Sequence, residues 1–255
     1  MTQEILERQH GTWQNKPVLR AIYEDYYERI VGACVPDATL EIGGGSGNLK
    51  QYLDDVISTD LVPTPWIDAA ADAQALPFAD ASFGNIVGVD VLHHIEYPMR
   101  FLAEAVRTLK PDGRLILVEP AITPVSGLFY RWFHPEPVDM SWQPLDAAKD
   151  DAKVEAKPDP QRLPFDANQA IPSLLFGRFS GEFEAQFPAL RPLSVERFNL
   201  LAYPLSGGFR AWSLLPAGLA RPLLKLEERL NPKLGKLMGF RLFVVLARQS
   251  TGSTV

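Results

Sequence analysis

The 255-residue chain is predicted to fold as an open, doubly wound α/β sheet with helices on both faces, and three features lead there. Apolar runs at 40–42, 86–91 and 115–118 read as strands buried on both faces, as a parallel sheet requires. Segments with helical spacing lie between them, and that alternation implies parallel strands joined by crossover helices. A glycine-rich turn follows the first run directly, and Asp60, Asp72 and Asp90 fall at or just beyond strand ends. Ligands of such sheets bind outside the carboxyl ends of the strands. The turn and the acids therefore point to one crevice.

Taken along the chain, residues 17–35 place Leu19, Ile22, Tyr23, Tyr26, Tyr27 and Ile30 at helical spacing, the mark of a helix packed on the sheet. Residues 40–49 read LEIGGGSGNL: a strand stopping at Ile42, glycines at 43, 44, 45 and 47, and a helix over 46–52 starting near Ser46. Glycine takes the backbone angles such a turn needs and lets a ligand approach the chain. The helix start would offer unpaired N–H groups and a positive dipole end. VISTDL, 56–61, is a short second strand ending in Asp60, and 86–91 is a third. The helix over 99–109 gathers Phe101, Leu102, Ala105, Val106 and Leu109 on one face, and Pro111-Asp112-Gly113 turns into the strand at 115–118.

Between 121 and 192 the pattern breaks, with ten of the 22 prolines and ten aromatic residues in that stretch. Proline at this density prevents long helices, and aromatics at this density must pack on something. Two readings stay open, a small accessory core and a hydrophobic chamber over the ligand. The polar run 146–160 reads as a solvated loop. Residues 194–203 and 240–247 supply the last two strands, with Ser206-Gly207-Gly208 turning into a helix between them.

Composition is that of an ordinary globular protein, 46% hydrophobic and 22% charged. The single cysteine, Cys34, excludes an intramolecular disulfide and fits a reducing compartment; it reads as core packing. The N-terminus is polar and no apolar run is long enough to span a bilayer, so a cytoplasmic protein is expected. A net charge of −6 argues against a nucleic-acid partner. The charge is uneven, because residues 207–248 hold eight Lys or Arg and two acids. That basic, apolar stretch is read as a final helix covering the sheet or as an interfacial helix making peripheral membrane contact.

Two cofactors compete for the glycine turn. The dinucleotide fingerprint is G-x-G-x-x-G, whereas here the alternation is Gly43-x-Gly45-x-Gly47 behind an acid, Glu41. Downstream come AADAQALPFADASFGNIVGVDVLHHIEYP at 70–98 and RTLKPDGRLIL at 107–117. Together with Asp60, these blocks over 38–120 resemble the class I S-adenosylmethionine-dependent methyltransferases, of the small-molecule, type-11-like group. The resemblance implies a mostly parallel seven-stranded sheet, with N-terminal helices 1–37, a cofactor core 38–120, a lid or substrate insertion 121–192 and a strand–helix–strand unit 193–249.

It also implies S-adenosylmethionine as cofactor, held by Glu41, Gly43, Gly44, Gly45, Asp60, Leu61, Asp72, Ala73, Asp90 and Val91. Asp60 would take the ribose hydroxyls, Asp72 the adenine amino group and the Ala73 backbone a ring nitrogen. The helix at 17–35 would close over the acceptor, so Tyr23 and Tyr27, with Tyr130 and Trp132 of the insertion, are candidate substrate contacts. His94 and His134 are candidate bases, since imidazole titrates near neutrality; the His93-His94 pair would otherwise support its loop. His10 reads as surface or lid. Glu119 reads as a third rim acid or a buried structural one. No metal-ligand spacing is present, and no metal is expected.

The function expected is methyl transfer to a small or lipid-like acceptor at oxygen, carbon or nitrogen. The alternatives are a cofactor-binding module acting through protein partners without turnover, and an NAD-dependent oxidoreductase, which the glycine spacing disfavours.

Overall fold

β1 (Thr39–Ile42), β2 (Val56–Asp60), β3 (Ala69–Ala70), β4 (Phe83–Val89), β5 (Leu109–Pro120), β6 (Leu190–Phe198) and β7 (Arg241–Arg248) form one seven-stranded sheet. Its spatial order is β3-β2-β1-β4-β5-β7-β6. The first five strands are parallel, and β7 enters antiparallel between β5 and β6. The computed structural model describes residues 3–45, 47–145 and 167–250. Ser46 and the polar run 146–160 lie outside the described residues. The helices are α1 (Gln3–Asn15), α2 (Pro17–Ala33), α3 (Pro98–Thr108), α4 (Pro124–Phe133), α5 (Ile171–Ser173, continuing as a wide turn over Leu174–Arg178), α6 (Ser180–Gln186), α7 (Ala202–Ser206) and α8 (Ala217–Met238).

The central strands β1, β4 and β7 and the second half of β5 are buried because alternate residues feed two cores. On one face Leu40, Ile42, Ile86, Leu115, Leu117 and Val244 pack with Phe101 and Leu102 of α3 and with Leu174, Phe179 and Phe183 of the insertion. On the other, Val87, Ile116, Val118 and Val245 meet Leu19, Ile22, Tyr26 and Ile30 of α2 and Ala220 and Leu224 of α8. The aromatics of the insertion divide accordingly. Phe176, Phe179 and Phe183 are core residues, whereas Phe129, Tyr130 and Phe133 of α4 line a cavity described below.

Three expected elements are corrected. Only a four-residue 3-10 turn, Asn48–Gln51, stands where a helix over 46–52 was expected, behind Gly47 in the left-handed region. A Cβ on Gly47 would sit 2.3 Å from the Trp66 carbonyl oxygen, so the chain is pinned there and cannot wind a longer helix. β4 stops at Val89, because Asp90 takes φ 58° and turns the chain. The strand expected at 194–203 is β6, ending at Phe198; Asn199, at φ 54°, accepts a hydrogen bond from the Tyr26 hydroxyl at 2.8 Å.

The basic C-terminal stretch forms α8, which crosses α2 and β6 through Ala220, Leu224, Glu227 and Gly235. Glu227 is buried, and its carboxylate accepts the backbone N–H groups of Leu200, Leu201 and Ala202 at 2.9, 2.7 and 2.7 Å. It thereby satisfies the start of α7, whose first N–H groups have no helical partner. Among the described residues no helix is long and apolar enough to cross a membrane. Removing the Glu227 carboxylate leaves two buried donors and the part-buried Leu201 N–H unpaired, so Glu227→Ala should lower the unfolding free energy by about 2–3 kcal/mol. A denaturant titration that places the variant within experimental error of the parent would contradict this assignment.

Candidate functional site

The turn after β1 is shaped by close approach on two sides. Gly43 has φ 59°, and a Cβ there would lie 2.3 Å from Val91 Cγ2; on Gly44 it would lie 2.1 Å from Ser58 Oγ. No side chain fits at either place. The Gly45 N–H donates to Asp60 Oδ2 at 3.0 Å, and the Val62 N–H to Oδ1 at 3.0 Å. The turn is thus tied to the end of β2, and Asp60 keeps its carboxylate on the cavity wall. Burial raises its pKa against the opposing pull of those two N–H groups.

Glu41, one residue before the end of β1, is buried and accepts the Ser58 hydroxyl at 2.5 Å. Burial outweighs that hydrogen bond and lifts its pKa to about 7. Asp90, past the end of β4, pairs with Arg241 Nη2 at 2.6 Å and accepts the Tyr23 hydroxyl at 3.2 Å. Arg241, fully buried at the start of β7, lies beneath the rings of Tyr26 and Tyr203. Glu119, at the end of β5, is fully buried. Its Oε1 accepts the N–H groups of Val91 and Leu92 at 2.9 and 2.8 Å, and its Oε2 lies 2.7 Å from His93 Nδ1. Of the two readings open for Glu119, the structure selects the buried bracing acid.

That brace presents the imidazoles of the 3-10 turn Leu92–His94. His93 Nε2 lies 3.5 Å from Glu136 Oε2, His94 Nε2 lies 3.8 Å from Glu136 Oε1, and His134 Nδ1 lies 3.9 Å from Glu136 Oε2. Gln169 donates to the same carboxylate. Burial disfavours charge on both partners, yet the carboxylates raise the pKa of His93 and the imidazoles hold that of Glu136 low. Burial lowers the pKa of His134.

These groups share one cavity of about 420 Å³, a size suited to a small molecule. Its lining includes Glu41, Gly43, Gly44, Gly45, Asp60, Asp90, His94, His134, Tyr23, Tyr27 and Tyr130 among the residues singled out in the sequence. Tyr130 presents its ring, because its hydroxyl donates to the Phe240 carbonyl at 2.8 Å. Others lie elsewhere. Trp132 is 76% exposed and Leu61 64% exposed, and neither lines the cavity. Val91 packs against the Gly43 turn, while Asp72 and Ala73 stand off the cavity wall, where Asp72 accepts the Gln74 N–H at 2.9 Å.

The sequence reading expected N-terminal helices but named none of the α1 residues Ile5, Leu6, Arg8 and Gln9 that line the cavity, with Leu6 against Gly45. His10 of α1 stacks on Trp66 with ring centroids 4.0 Å apart, which fastens the helix there. Glu136, Gln169, Tyr203 and Arg241 were missed as well. The signal for Arg241 was a lone charge opening an otherwise apolar strand; for Glu136 there was none, since only the fold-back of the insertion brings it to the imidazoles.

Residues 40–117 match the family model described as Methyltransferase domain. The demethylmenaquinone methyltransferase of Renibacterium salmoninarum is 35% identical over 103 residues, covering 35% of this chain and 44% of that protein. The 27-O-demethylrifamycin SV methyltransferase of Amycolatopsis mediterranei is 39% identical over 54 residues, covering 21% of this chain and 20% of its own length. The chain therefore spans less than half the length of the curated relatives it matches. Among solved structures, a possible histamine N-methyltransferase from Thermotoga maritima superposes with a TM-score of 0.50 at 15% identity, covering 91% of each chain. At that identity the likeness concerns the fold.

Glu41 supplies a pH signature of the site. A carboxyl whose folded pKa lies above its unfolded value loses stability as pH rises between the two, here from 4.5 to about 7. Glu41→Gln keeps an acceptor for Ser58 and removes the ionisation. Chemical denaturation should show the variant gaining on the parent across that window, by up to about 3 kcal/mol above it. A difference independent of pH would mean that Glu41 titrates normally.

Proposed function

We propose that this chain, whose residues 40–117 match the methyltransferase-domain family model, is a class I methyltransferase of the type-11 group that moves a methyl group from S-adenosylmethionine to a small or amphipathic acceptor. The observation that carries the reading is that the glycine turn, with Glu41 and Asp60, and the imidazole–carboxylate cluster line one cavity.

The residues fit that cofactor. Asp60 is an acceptor-only group on the cavity wall, suited to a pair of ribose hydroxyls. Glu41 and Asp90 supply carboxylates for an ammonium or sulfonium, and Tyr23 and Tyr27 supply ring faces that attract cations. A dinucleotide fits less well. Its pyrophosphate would meet Glu41 and Asp60, and only a four-residue 3-10 turn follows the glycines in place of the helix start that such phosphates use.

When bound, S-adenosylmethionine supplies a methyl group on a sulfonium that already bears its leaving group. The protein then has to align the acceptor and keep water out. Leu6 of α1 covers the glycine turn from one side, and Phe129, Tyr130 and Phe133 of α4 wall the cavity. Where the acceptor is a hydroxyl, His94 and His134 stand on the same wall to take its proton.

An amphipathic acceptor, such as a quinone precursor or lipid, is supported by the surface beside the cavity. Leu128 and Trp132 of α4 and Leu214 before α8 are exposed at 61%, 76% and 73%, while their neighbours Phe133, Arg210 and Trp212 line the cavity. Such a rim, with Arg131 and Arg210 among it, suits peripheral contact with an anionic lipid surface.

Asp60→Ala should weaken S-adenosylmethionine binding by about 1–3 kcal/mol in a calorimetric titration, and unchanged affinity removes Asp60 from the ribose site. Turnover to S-adenosylhomocysteine should appear when cell extract supplies the acceptor. Tight cofactor binding with no turnover in any extract would favour a module acting through partners. The double variant Trp132→Ser, Leu214→Ser should lose co-sedimentation with anionic vesicles; equal sedimentation of variant and parent would dismiss the membrane contact.

A further inference from the structure

We propose that His93, His94 and Glu136 form a binding site for a divalent transition-metal ion of the zinc type on the cavity wall, where the ion holds an oxygen of the methyl acceptor. The second part rests on the methyltransferase reading; the first does not.

His93, His94 and Glu136 each offer one ligand atom, a ring nitrogen or a carboxylate oxygen, within 4.8 Å of the other two. His93 Nε2 lies 3.5 Å from Glu136 Oε2, and His94 Nε2 lies 3.8 Å from Glu136 Oε1. Ligand atoms about 2.0–2.1 Å from a tetrahedral ion stand roughly 3.3 Å apart. Side-chain shifts of up to about 1.5 Å would draw the cluster into such a coordination shell.

The surroundings are those of a built site. Glu119 Oε2, 2.7 Å from His93 Nδ1, fixes the ring so that Nε2 is the nitrogen presented to the cavity. Carboxylate–imidazole–metal relays use this arrangement to orient a ligand and raise its basicity. Glu119 is itself fixed by the N–H groups of Val91 and Leu92. Gln169 orients Glu136 from the other side. His134 is not a ligand in this scheme, because its Nδ1 accepts the Glu136 N–H at 3.3 Å. Two imidazoles and one carboxylate leave a coordination position open toward the cavity, as catalytic rather than structural zinc sites do. Nitrogen donors select transition ions over magnesium or calcium.

The acceptor class follows from the open position. A phenol or enol hydroxyl binds there, where coordination makes it more acidic, and gives its proton to His134 on the same wall. The oxygen lone pair forms the new bond to the methyl carbon as the carbon–sulfur bond breaks, and that bond's electrons remain on sulfur. An acceptor with a second oxygen beside the reactive one gains a further contact.

The test uses the full chain without cofactor. Zn²⁺ titrated by calorimetry should bind one ion per chain, and Co²⁺ should give visible ligand-field bands that shift when catechol is added. Glu136→Gln and His94→Asn, each checked for an unchanged thermal melt, should weaken Zn²⁺ by more than about 100-fold. Saturable binding that both variants retain, or none at millimolar Zn²⁺, overturns the site. Bands indifferent to catechol overturn the acceptor assignment alone. Zn²⁺ binding in a chain that fails to bind S-adenosylmethionine would sink the methyltransferase reading and leave the metal site standing.

Discussion

Four acids stand side by side at the carboxyl edge of the sheet, and how each is held determines the rest of the site. In spatial order they are Asp60, Glu41, Asp90 and Glu119, at or just past the ends of β2, β1, β4 and β5. Like charges this close in a partly dry environment are costly. The fold meets that cost four ways. Asp60 takes backbone N–H groups of the glycine turn and its flank, and Glu41 takes a serine hydroxyl and a raised pKa. Asp90 takes a buried arginine. Glu119 takes two N–H groups and an imidazole. Each solution fixes a different wall of the cavity, and the two ends nearest the glycine turn remain suited to a cationic ligand.

Much of this was legible in the sequence. The sheet class followed from apolar runs such as 115–118, which had to be buried on both faces, and the glycine turn followed from its own spacing. Period and composition report on single segments, however, and the site is assembled from several. Glu136 reaches His93 and His94 only because the insertion doubles back, with Asn168 bonded to the His93 carbonyl and Gln169 to Glu136. Arg241 reaches Asp90 because β7 runs antiparallel beside β5 in a register that sets it opposite Pro120. The short 3-10 turn was equally hidden, since it depends on Gly47 meeting the Trp66 backbone. Trp132 read as a pocket aromatic because residue type says nothing about which side of α4 faces inward.

The acceptor side follows a different logic from the cofactor side. Near the glycines the wall is mostly backbone and acid, which tolerates little change of shape. Around α4 and the insertion it is built from aromatic rings and His134 on elements that follow β5, facing His93 and His94 in the turn after β4. Segments of that kind vary freely in loop-borne sites while the scaffold stays constant. One chain can therefore keep the donor half of the reaction and specialise the other half. The exposed apolar residues Leu128 and Trp132 of α4 and Leu214 before α8 lie beside that half of the cavity.

The central claim is that the glycine turn and its acids form a pocket for a sulfonium cofactor. Parallel calorimetric titrations with S-adenosylmethionine, S-adenosylhomocysteine and NADH, on the parent chain and on Gly43→Val, test it most directly. Micromolar binding of the first two by the parent, none of NADH, and none of either by Gly43→Val is the predicted result, because the added side chain would overlap Val91. Binding of NADH in preference, or undiminished binding by Gly43→Val, would contradict the account.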